Sequence, residues 1–358
     1  MPAAVALVLA IPPKTQAAQA APAIIFDPGM AVWHYPAPTL DVLRDLGTDT
    51  VRLRVAYADN PDLRRLDAAV KEAHQRHMDV LLTPVGPAPS VTAYAAFVGD
   101  LGRRYPEIRR WAIYNEPDLP QLFPLPGQGG YEPGDAGPTV PQPDPGVLVA
   151  DPEALDAPTE PGLSNDSVPL EDPEVPEYPF FEGDTLDRTV GHPIARLYRS
   201  VFLAAQRELL AAGHGRRQVL IGETSPAPPP GFVASVLRGR PIVAGGWAHH
   251  PYIAGDKASA RTPYLGPGNL PKLRRTLARA PGRTLPIYVT EFGVKDHQGS
   301  VAMREAARVM GRLSYVRSFA QYTLHDDWFG TGLIRMDGSP KPTLRSFAKV
   351  GRSIRARR

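Results

Sequence analysis

Hydrophobic and polar residues alternate along the chain in two patterns. Short runs rich in β-branched and aromatic residues are separated by longer stretches in which apolar positions recur at helical spacing. The short runs are typical of buried strands, and the longer stretches are typical of helices that pack on a sheet. The predicted strands are AIIFD (23–27), TVRLRVAY (50–57), MDVLLTPV (78–85), RRWAIYNE (109–116), QVLIGETS (218–225), GGWAHHPYI (245–253), PIYVTEF (286–292) and FAQYTLHDD (319–327). The predicted helices lie at 38–47, 61–77, 91–104, 193–213, 229–239, 268–280, 300–316 and 340–355.

Regular alternation of strands and helices predicts a parallel sheet in the α/β class, and eight strands predict closure into a (β/α)8 barrel, or TIM barrel. The 358 residues suffice for a barrel of about 250 residues with insertions. An open doubly wound sheet is the rival fold. It normally carries a Gly-rich phosphate turn after its first strand, and FDPGMAVWHY (26–35) matches such a turn poorly. We therefore expect one barrel over residues 21–358.

A long acidic segment interrupts this alternation after the fourth strand. Residues 118–187 hold 16 Asp and Glu and 15 prolines, and contain neither Lys nor Arg. Low hydrophobicity with high net charge predicts partial or complete disorder. We expect a Pro-rich insertion on the barrel face where the strands end. It is either a spacer or a segment that forms a wall of a cleft or binds a partner.

The remaining charge is basic but dispersed. The net charge of +3 combines the acidic insertion with 40 basic and 21 acidic residues elsewhere. Because the arginines are spread over amphipathic stretches, we expect a solvated surface and no nucleic-acid partner. The chain has no cysteine, which excludes disulfides, thiolate nucleophiles and thiolate metal ligands and leaves the redox compartment open.

The amino terminus has features of an export signal. Residues 3–11 are apolar, and AAQAAPA (17–23) offers small residues of the A-x-A type, although the usual positive n-region is missing. We expect residues 1–20 to be a signal peptide and the protein to be extracellular. A nine-residue apolar run is shorter than the about 20 residues that a membrane span needs, and no later segment qualifies.

Two strands end in glutamates that suggest chemistry. WAIYNEPDL (111–119) contains Glu116, and LPIYVTEFGV (285–294) contains Glu291. In a parallel barrel, active sites lie at the carboxyl ends of the strands. Retaining glycoside hydrolysis needs two carboxyl groups about 5–5.5 Å apart, of which one is protonated and the other ionised. Asn115 beside Glu116 suits this chemistry because a side-chain amide can hydrogen-bond a sugar 2-hydroxyl group.

WAIYNEP resembles the acid/base strand of glycoside hydrolase clan A, and IYVTEFG resembles the nucleophile strand of the same clan. The resemblance extends over residues 24–350 apart from the insertion, and it is strongest to the cellulase-like branch, family five and its neighbours. It implies a retaining hydrolase that acts on a β-linked oligo- or polysaccharide without a metal or another cofactor. Glu116 would be the acid/base and Glu291 the nucleophile.

Further positions match the clan residue by residue. LRDLGTDTVRLRV resembles the second strand, where an arginine keeps the nucleophile ionised. That position is Arg52, with Arg54 on the same strand face as a substitute. WAHHPYI resembles the sixth strand, so that the resemblance assigns His250 to supporting the acid/base or the sugar and Tyr252 to hydrogen-bonding the nucleophile. By strand alternation, His249 would point away from the site.

The segment HDDWFGTGLIRMDGSPKPTLRSF resembles the eighth strand and closing loop of the clan, in which Trp328 would be the aromatic platform under the sugar. Several other residues of the same face have two open interpretations. Glu223 either binds a hydroxyl group or faces solvent. Trp33, His34 and Tyr35 either line a second sugar subsite or only pack, and Asp326 and Asp327 are undecided.

The sequence bears on three alternatives to a retaining glycosidase. An inactive carbohydrate-binding barrel would be expected to lack a glutamate or the asparagine, and Glu116, Glu291 and Asn115 are all present. A metal-dependent hydrolase would need a His/Asp cluster such as H-x-H after the first strand, where His34 stands alone. A transglycosylase would use the same residues and stays open. The sugar, its linkage, endo- or exo-cleavage and the oligomeric state are also open.

Overall fold

The chain forms a parallel barrel surrounded by helices. The computed structural model describes residues 22–88, 90–120, 122–123, 193–253, 264–280, 284–295, 298–327 and 329–356. Its strands are β1 (Ala23–Asp27), β2 (Thr50–Ala56), β3 (Asp79–Val85), β4 (Arg110–Ala112), β5 (Val219–Thr224), β6 (Gly246–His249), β7 (Ile287–Val289) and β8 (Ser318–Tyr322). Its α-helices are α1 (Ala31–His34), α2 (Pro36–Asp45), α3 (Arg64–Gln75), α4 (Val91–Arg104), α5 (Pro193–Ala211), α6 (Phe232–Val236), α7 (Leu270–Ala278), α8 (Gly299–Gly311) and α9 (Pro342–Arg355).

The strands pair in the order β7-β6-β5-β4-β3-β2-β1-β8, and every pair is parallel. The two outer strands meet through a bridge between Ile287 and Val316. Ile287 also accepts a hydrogen bond from the N–H of Arg317 and donates one to the carbonyl of Tyr315, both at 2.8 Å. The sheet is therefore a nearly closed barrel, which confirms the predicted fold class.

The alternation of β2 shows how the sequence divides the core into two layers. Val51 and Leu53 are fully buried in the apolar cluster that joins strands and helices. Arg52 lies between them in sequence, Arg54 follows Leu53, and both arginines contact Asp27 on the neighbouring strand β1. Because side chains of a strand alternate between faces, the apolar pair faces the helices and the arginines face the barrel interior. The charged groups of the interior are thus brought together by the strand period.

The fourth and seventh strands are shorter than the sequence predicts. The predicted strands 109–116 and 286–292 shrink to Arg110–Ala112 and Ile287–Val289. Tyr114 and Glu116 have φ angles of 70° and 44°, which a strand cannot contain. The backbone therefore leaves the sheet before the glutamate, and Glu116 lies on a turn beyond the strand.

Tyrosines from two helices support the backbone where the strands end. The hydroxyl of Tyr198 on α5 donates to the carbonyl of Ile113 at 3.0 Å and accepts from the N–H of Gly222 at 2.8 Å. The hydroxyl of Tyr94 on α4 accepts from the N–H of Tyr114 at 3.1 Å. Buried backbone groups need such partners, so the tyrosines compensate for the early end of the strands.

Part of the sequence-based description lies outside the described residues. This applies to residues 1–20, to most of the predicted insertion and to Trp328. The first residues of that insertion are described and pack on the barrel: Asp118 is buried, and the Phe123 ring lies 4.6 Å from the Tyr114 ring. A search of the described helices found none with the length and apolar character of a membrane span.

Candidate active site

Glu116 and Glu291 meet at the carboxyl end of the barrel, on either side of His250. His250 Nδ1 lies 3.0 Å from Glu116 Oε1 and 3.6 Å from Glu291 Oε2. Because both oxygens contact one nitrogen, they are at most about 6.6 Å apart, a separation in the range of paired glycosidase carboxyls. The two glutamates singled out from the sequence thus share one site.

Arg52 connects the carboxylates of the site. Its Nη1 donates to Asp27 Oδ2 at 2.6 Å and also to Glu291 Oε1. Its Nη2 donates to Asn115 Oδ1 at 2.8 Å and also to Glu223 Oε2. The side chain is fully buried, so the guanidinium is stabilised by these charged partners in place of water. Arg52 is therefore the arginine beside the nucleophile position.

Glu291 is surrounded by groups that favour its ionised form. Burial by itself would raise the pKa of Glu291, but the positive charges of His250, Arg52 and Arg54 outweigh it and lower the pKa to about 2. The hydroxyl of Tyr252 adds a hydrogen bond to Oε2 at 3.0 Å. Glu291 is accordingly a carboxylate throughout the neutral range, as a nucleophile must be.

The pKa values of the two adjacent histidines are shifted in opposite directions. Burial opposes a charge on His250, yet Glu291, Glu116 and Glu223 overcome this and raise its pKa to about 10. Burial lowers the pKa of His249 to about 4. His249 hydrogen-bonds Thr224 Oγ1 at 2.9 Å and the carbonyl of Leu265 at 2.8 Å, away from the carboxylates. The carboxylates around His250 thus favour its charged form, whereas His249 packs away from them.

Glu116 is held by its backbone and by the residues that follow it. Its N–H donates to the carbonyl of Glu223 at 2.9 Å. Two residues on, Asp118 accepts from the N–H of Ser225 at 3.0 Å and from the Ser225 hydroxyl at 2.5 Å. Because Asp118 is fully buried, its pKa is raised to about 6 despite these hydrogen bonds. The turn that carries Glu116 is therefore fastened to the end of β5 at two points.

One acidic residue of the site, Asp27, was not recognised from the sequence, and a second, Glu223, was given two open interpretations. Asp27, at the end of β1, contacts Arg52 and also lies 3.1 Å from Nε of Arg54. Asp27 ends a predicted strand, which is the same signal that identified Glu116, so the sequence could have identified Asp27 as well. Glu223 is fully buried against Arg52, which contradicts the interpretation that it faces solvent.

Glu223 lies in an irregular part of β5. The pairing of β5 with β6 runs from Gly222–Ala248 to Thr224–His249, so Glu223 is an extra residue, or β-bulge. Its φ angle is 51°. Neither feature has a signal in the period-2 pattern of QVLIGETS, which explains why the orientation of this side chain was not predicted.

The open positions are resolved only in part. Trp33 and His34 belong to the short helix α1, and Tyr35 follows it. Asp326 accepts a hydrogen bond from Nζ of the buried Lys341 at 2.6 Å, and Asp327 accepts one from the Tyr322 hydroxyl at 2.9 Å. Within the described ranges, no cluster of His, Asp and Glu is arranged to hold a metal ion.

Comparisons with known proteins agree on the fold. A family 39 glycoside hydrolase from Bacteroides cellulosilyticus superimposes with a TM-score of 0.57 and 14% identity, over 92% of this chain and 64% of that chain. The endoglucanase Cel5A of Pseudomonas stutzeri gives a TM-score of 0.54 and 14% identity, over 92% of this chain and 93% of that chain. The catalytic domain of β-amylase from Paenibacillus polymyxa gives 0.51 and 10%, over 92% and 97%. What the chain shares with these glycoside hydrolases is the barrel fold.

Comparisons by sequence give no relatives. No family model matches the chain, and no curated protein matches it. The chain spans less than two thirds of the family 39 enzyme.

Proposed function

We propose that the protein is a retaining glycoside hydrolase that cleaves a β-linked oligo- or polysaccharide. The observation that carries this proposal is the placement of Glu116 and Glu291 on one imidazole nitrogen, which limits the gap between their nearest oxygens to at most about 6.6 Å. Retaining enzymes have carboxyl groups about 5–5.5 Å apart, whereas inverting enzymes need about 6.5–9.5 Å to admit a water molecule. The bound favours retention.

In the first step, a carboxylate oxygen of Glu291 attacks the anomeric carbon. The bond from this carbon to the glycosidic oxygen breaks, and the leaving oxygen takes the proton of Glu116. In the second step, water attacks the same carbon and gives a proton to Glu116, and the bond to Glu291 breaks. The ionised state of Glu291 and the hydrogen bond between His250 and Glu116 suit these roles.

The surrounding residues support the same steps. Arg52 and Tyr252 hold the two oxygens of Glu291. The side-chain oxygen of Asn115 accepts a hydrogen bond from Arg52, so the amide N–H groups of Asn115 are available for a sugar hydroxyl. We further propose that Trp328 stacks on the sugar and that the protein is exported, as the amino-terminal pattern suggests.

The direct test is a screen of the purified protein against β-glucans, mannans, xylans and aryl β-glycosides. The anomeric configuration of the first product is followed by proton NMR. Release of the β-anomer before mutarotation supports the proposal. Initial release of the α-anomer would exclude retention, and sugar transfer without hydrolysis would identify a transglycosylase. Binding without turnover in the whole panel would favour a carbohydrate-binding barrel.

A further inference from the structure

The proposed two-carboxyl mechanism leaves one buried glutamate without a role. Glu223 has no solvent exposure, and it projects from a β-bulge with a positive φ angle. A residue other than glycine in this conformation is strained, and bulges beside active sites often re-aim a side chain. The strained backbone turns a charged side chain into the barrel interior, where burial without a purpose would only destabilise the fold.

Glu223 lies next to the groups of the proposed mechanism. Its Oε2 hydrogen-bonds Arg52 and lies 3.9 Å from Nε2 of His250, and its carbonyl accepts the N–H of Glu116. Within the part of the chain that the structure describes, Oε1 of Glu223 and Nε2 of His250 have no hydrogen-bond partner. The interaction between Glu223 and His250 is therefore one of charge across a short gap in a buried environment, where Coulomb forces are strong.

The balance of charge around His250 indicates what Glu223 does. The groups that surround His250 are Glu116 after β4, Glu223 on β5, the neighbours His249 and Tyr252, Glu291 after β7, and Arg52, Arg54 and Asp27 beyond them. With His250 cationic and Glu116 protonated, His250 and the two arginines balance the carboxylates of Asp27, Glu223 and Glu291. Without Glu223 the same state carries an excess positive charge, which favours loss of a proton from His250.

We propose that Glu223 is a positioning residue of the proposed reaction, whose buried negative charge keeps the His250 imidazole cationic between Glu116 and Glu291. A cationic His250 donates its Nδ1–H to Glu116 Oε1 and stabilises the carboxylate that forms there when the leaving oxygen takes the proton. The raised pKa of His250 agrees with this arrangement. The role depends on the proposed function, but the charge state of His250 can be measured without it.

The test is an NMR titration of His250 in the full chain, with the resonance assigned by its loss in His250→Gln. In the unchanged protein, both ring nitrogens of His250 should carry protons at pH 7. In Glu223→Gln, the His250 pKa should fall by about one pH unit or more. Asp118→Asn is the matched control, because it removes an equally buried carboxylate that has no contact with His250, and it should leave this pKa in place.

The second readout is the pH dependence of kcat/KM on whichever glycoside is turned over. Glu223→Gln should move the alkaline limb to lower pH by about one unit, and Glu223→Asp, which retains the charge, should restore part of the shift. A purely structural role would lower the rate without moving the limb. If no substrate is turned over, the proposed function fails while the titration still decides the role of Glu223.

A neutral His250 at pH 7 in the unchanged protein would overturn the proposal, even if Glu223→Gln did not fold. A His250 pKa that is the same in Glu223→Gln and the unchanged protein would overturn it as well.

Discussion

The N–H of Glu116 donates to the carbonyl oxygen of Glu223 at 2.9 Å, and both residues have positive φ angles, 44° and 51°. Each such conformation costs about 1–3 kcal/mol for a residue other than glycine. One hydrogen bond thus joins two strained turns at the ends of β4 and β5. The strained backbone leaves the Glu116 side chain partly exposed and turns the Glu223 side chain into the barrel interior, which regular strands of the same sequence would not do.

In the proposed mechanism, variants of Glu116 and Glu291 should respond differently to the leaving group. Glu116→Ala should lose about 10²–10⁴-fold in rate on an unactivated β-glycan, because the leaving oxygen then lacks a proton donor. An aryl glycoside with an acidic leaving group should be affected less, and added azide should restore turnover, since azide needs no base. Glu291→Ala should lose activity on both substrates. Initial rates on the two substrates, with and without azide, measure the difference.

Glu107→Ala is a suitable control, because this glutamate is exposed in the loop before β4. Its rates should match those of the unchanged protein. Equal losses on both substrates in Glu116→Ala, with no effect of azide, would be incompatible with an acid/base role.

Tyr252→Phe should show how much the hydrogen bond from the Tyr252 hydroxyl contributes to the orientation and the ionisation of Glu291. The variant loses the hydrogen bond to Oε2, which also helps lower the pKa of Glu291. We expect kcat to fall about tenfold, from the loss of a hydrogen bond to a charged group. Because Glu291 must be ionised, a higher pKa should move the acidic limb of the rate profile to higher pH. Tyr288→Phe, a change on the half-buried outer side of β7, should leave the profile in place.

Arg52→Met should destabilise the fold by about 3–5 kcal/mol, because it removes the common partner of three buried carboxylates. The dependence of the free energy of unfolding on pH should also change sign. In the unchanged protein, Glu291 has a lowered pKa, so its stabilisation is present above the unfolded value near 4.5 and is lost as the pH falls toward about 2. In the variant, the buried Glu223 and Glu291 lose this positive neighbour and burial raises their pKa values, so stability should increase from pH 7 to pH 5.

Urea unfolding at both pH values measures this slope. Arg64→Met, which breaks an exposed pair with Asp62, should leave the unfolding midpoint unchanged. A variant that becomes less stable at pH 5 would show that Arg52 does not compensate the buried charges.

The sequence predicted the barrel and most of the residues that meet in the site. Glu116 and Glu291 were found because each follows a strand whose carboxyl end faces the site, where parallel topology brings such residues together. Arg52, His250 and Tyr252 were assigned through the resemblance to glycoside hydrolase clan A. The catalytic roles of these residues, like the platform role of Trp328, remain predictions.

The parts that could not be predicted depend on departures from regular structure. The bulge at Glu223 shifts the strand register by one residue, and no residue type in QVLIGETS signals it. The positive φ angles of Tyr114 and Glu116 end β4 early at positions that contain no glycine. The support from Tyr94 and Tyr198 comes from helices far away in sequence, so it appears only once the barrel is assembled.

Tyr198→Phe should show how much this support contributes. Loss of the hydroxyl leaves the carbonyl of Ile113 and the N–H of Gly222 without that partner in a buried region. An unsatisfied buried backbone group costs about 1–3 kcal/mol, so we expect a fall of this size in the free energy of unfolding, measured with urea. Tyr315→Phe is the matched control, because the hydroxyl of Tyr315 has no hydrogen-bond partner among the described residues. Equal stabilities of the two variants would contradict the prediction.

Asp118 lies in the turn after Glu116, and Asp118→Asn should change how the stability of the fold depends on pH. Burial raises the pKa of Asp118 from 3.8 in the unfolded chain to about 6 in the folded protein. Between these values the unfolded state loses the proton first, so the Asp118 contribution makes the fold less stable as the pH rises. Asparagine has no such titration. The stability of Asp118→Asn relative to the unchanged protein should therefore rise by about 2–3 kcal/mol from pH 4 to pH 7.

Urea unfolding of both proteins at pH 4 and pH 7 measures how the stability difference between them changes with pH. Asp118→Asn also loses part of the hydrogen bonding to Ser225, but this loss is present at both pH values and cancels in the comparison. A difference that stays constant with pH would mean that Asp118 ionises with an ordinary pKa. In that case the turn after Glu116 would be open to water. The contacts of Asp118 with Ser225, which fasten this turn to the end of β5 and so position Glu116, would then be weaker than the burial of Asp118 implies.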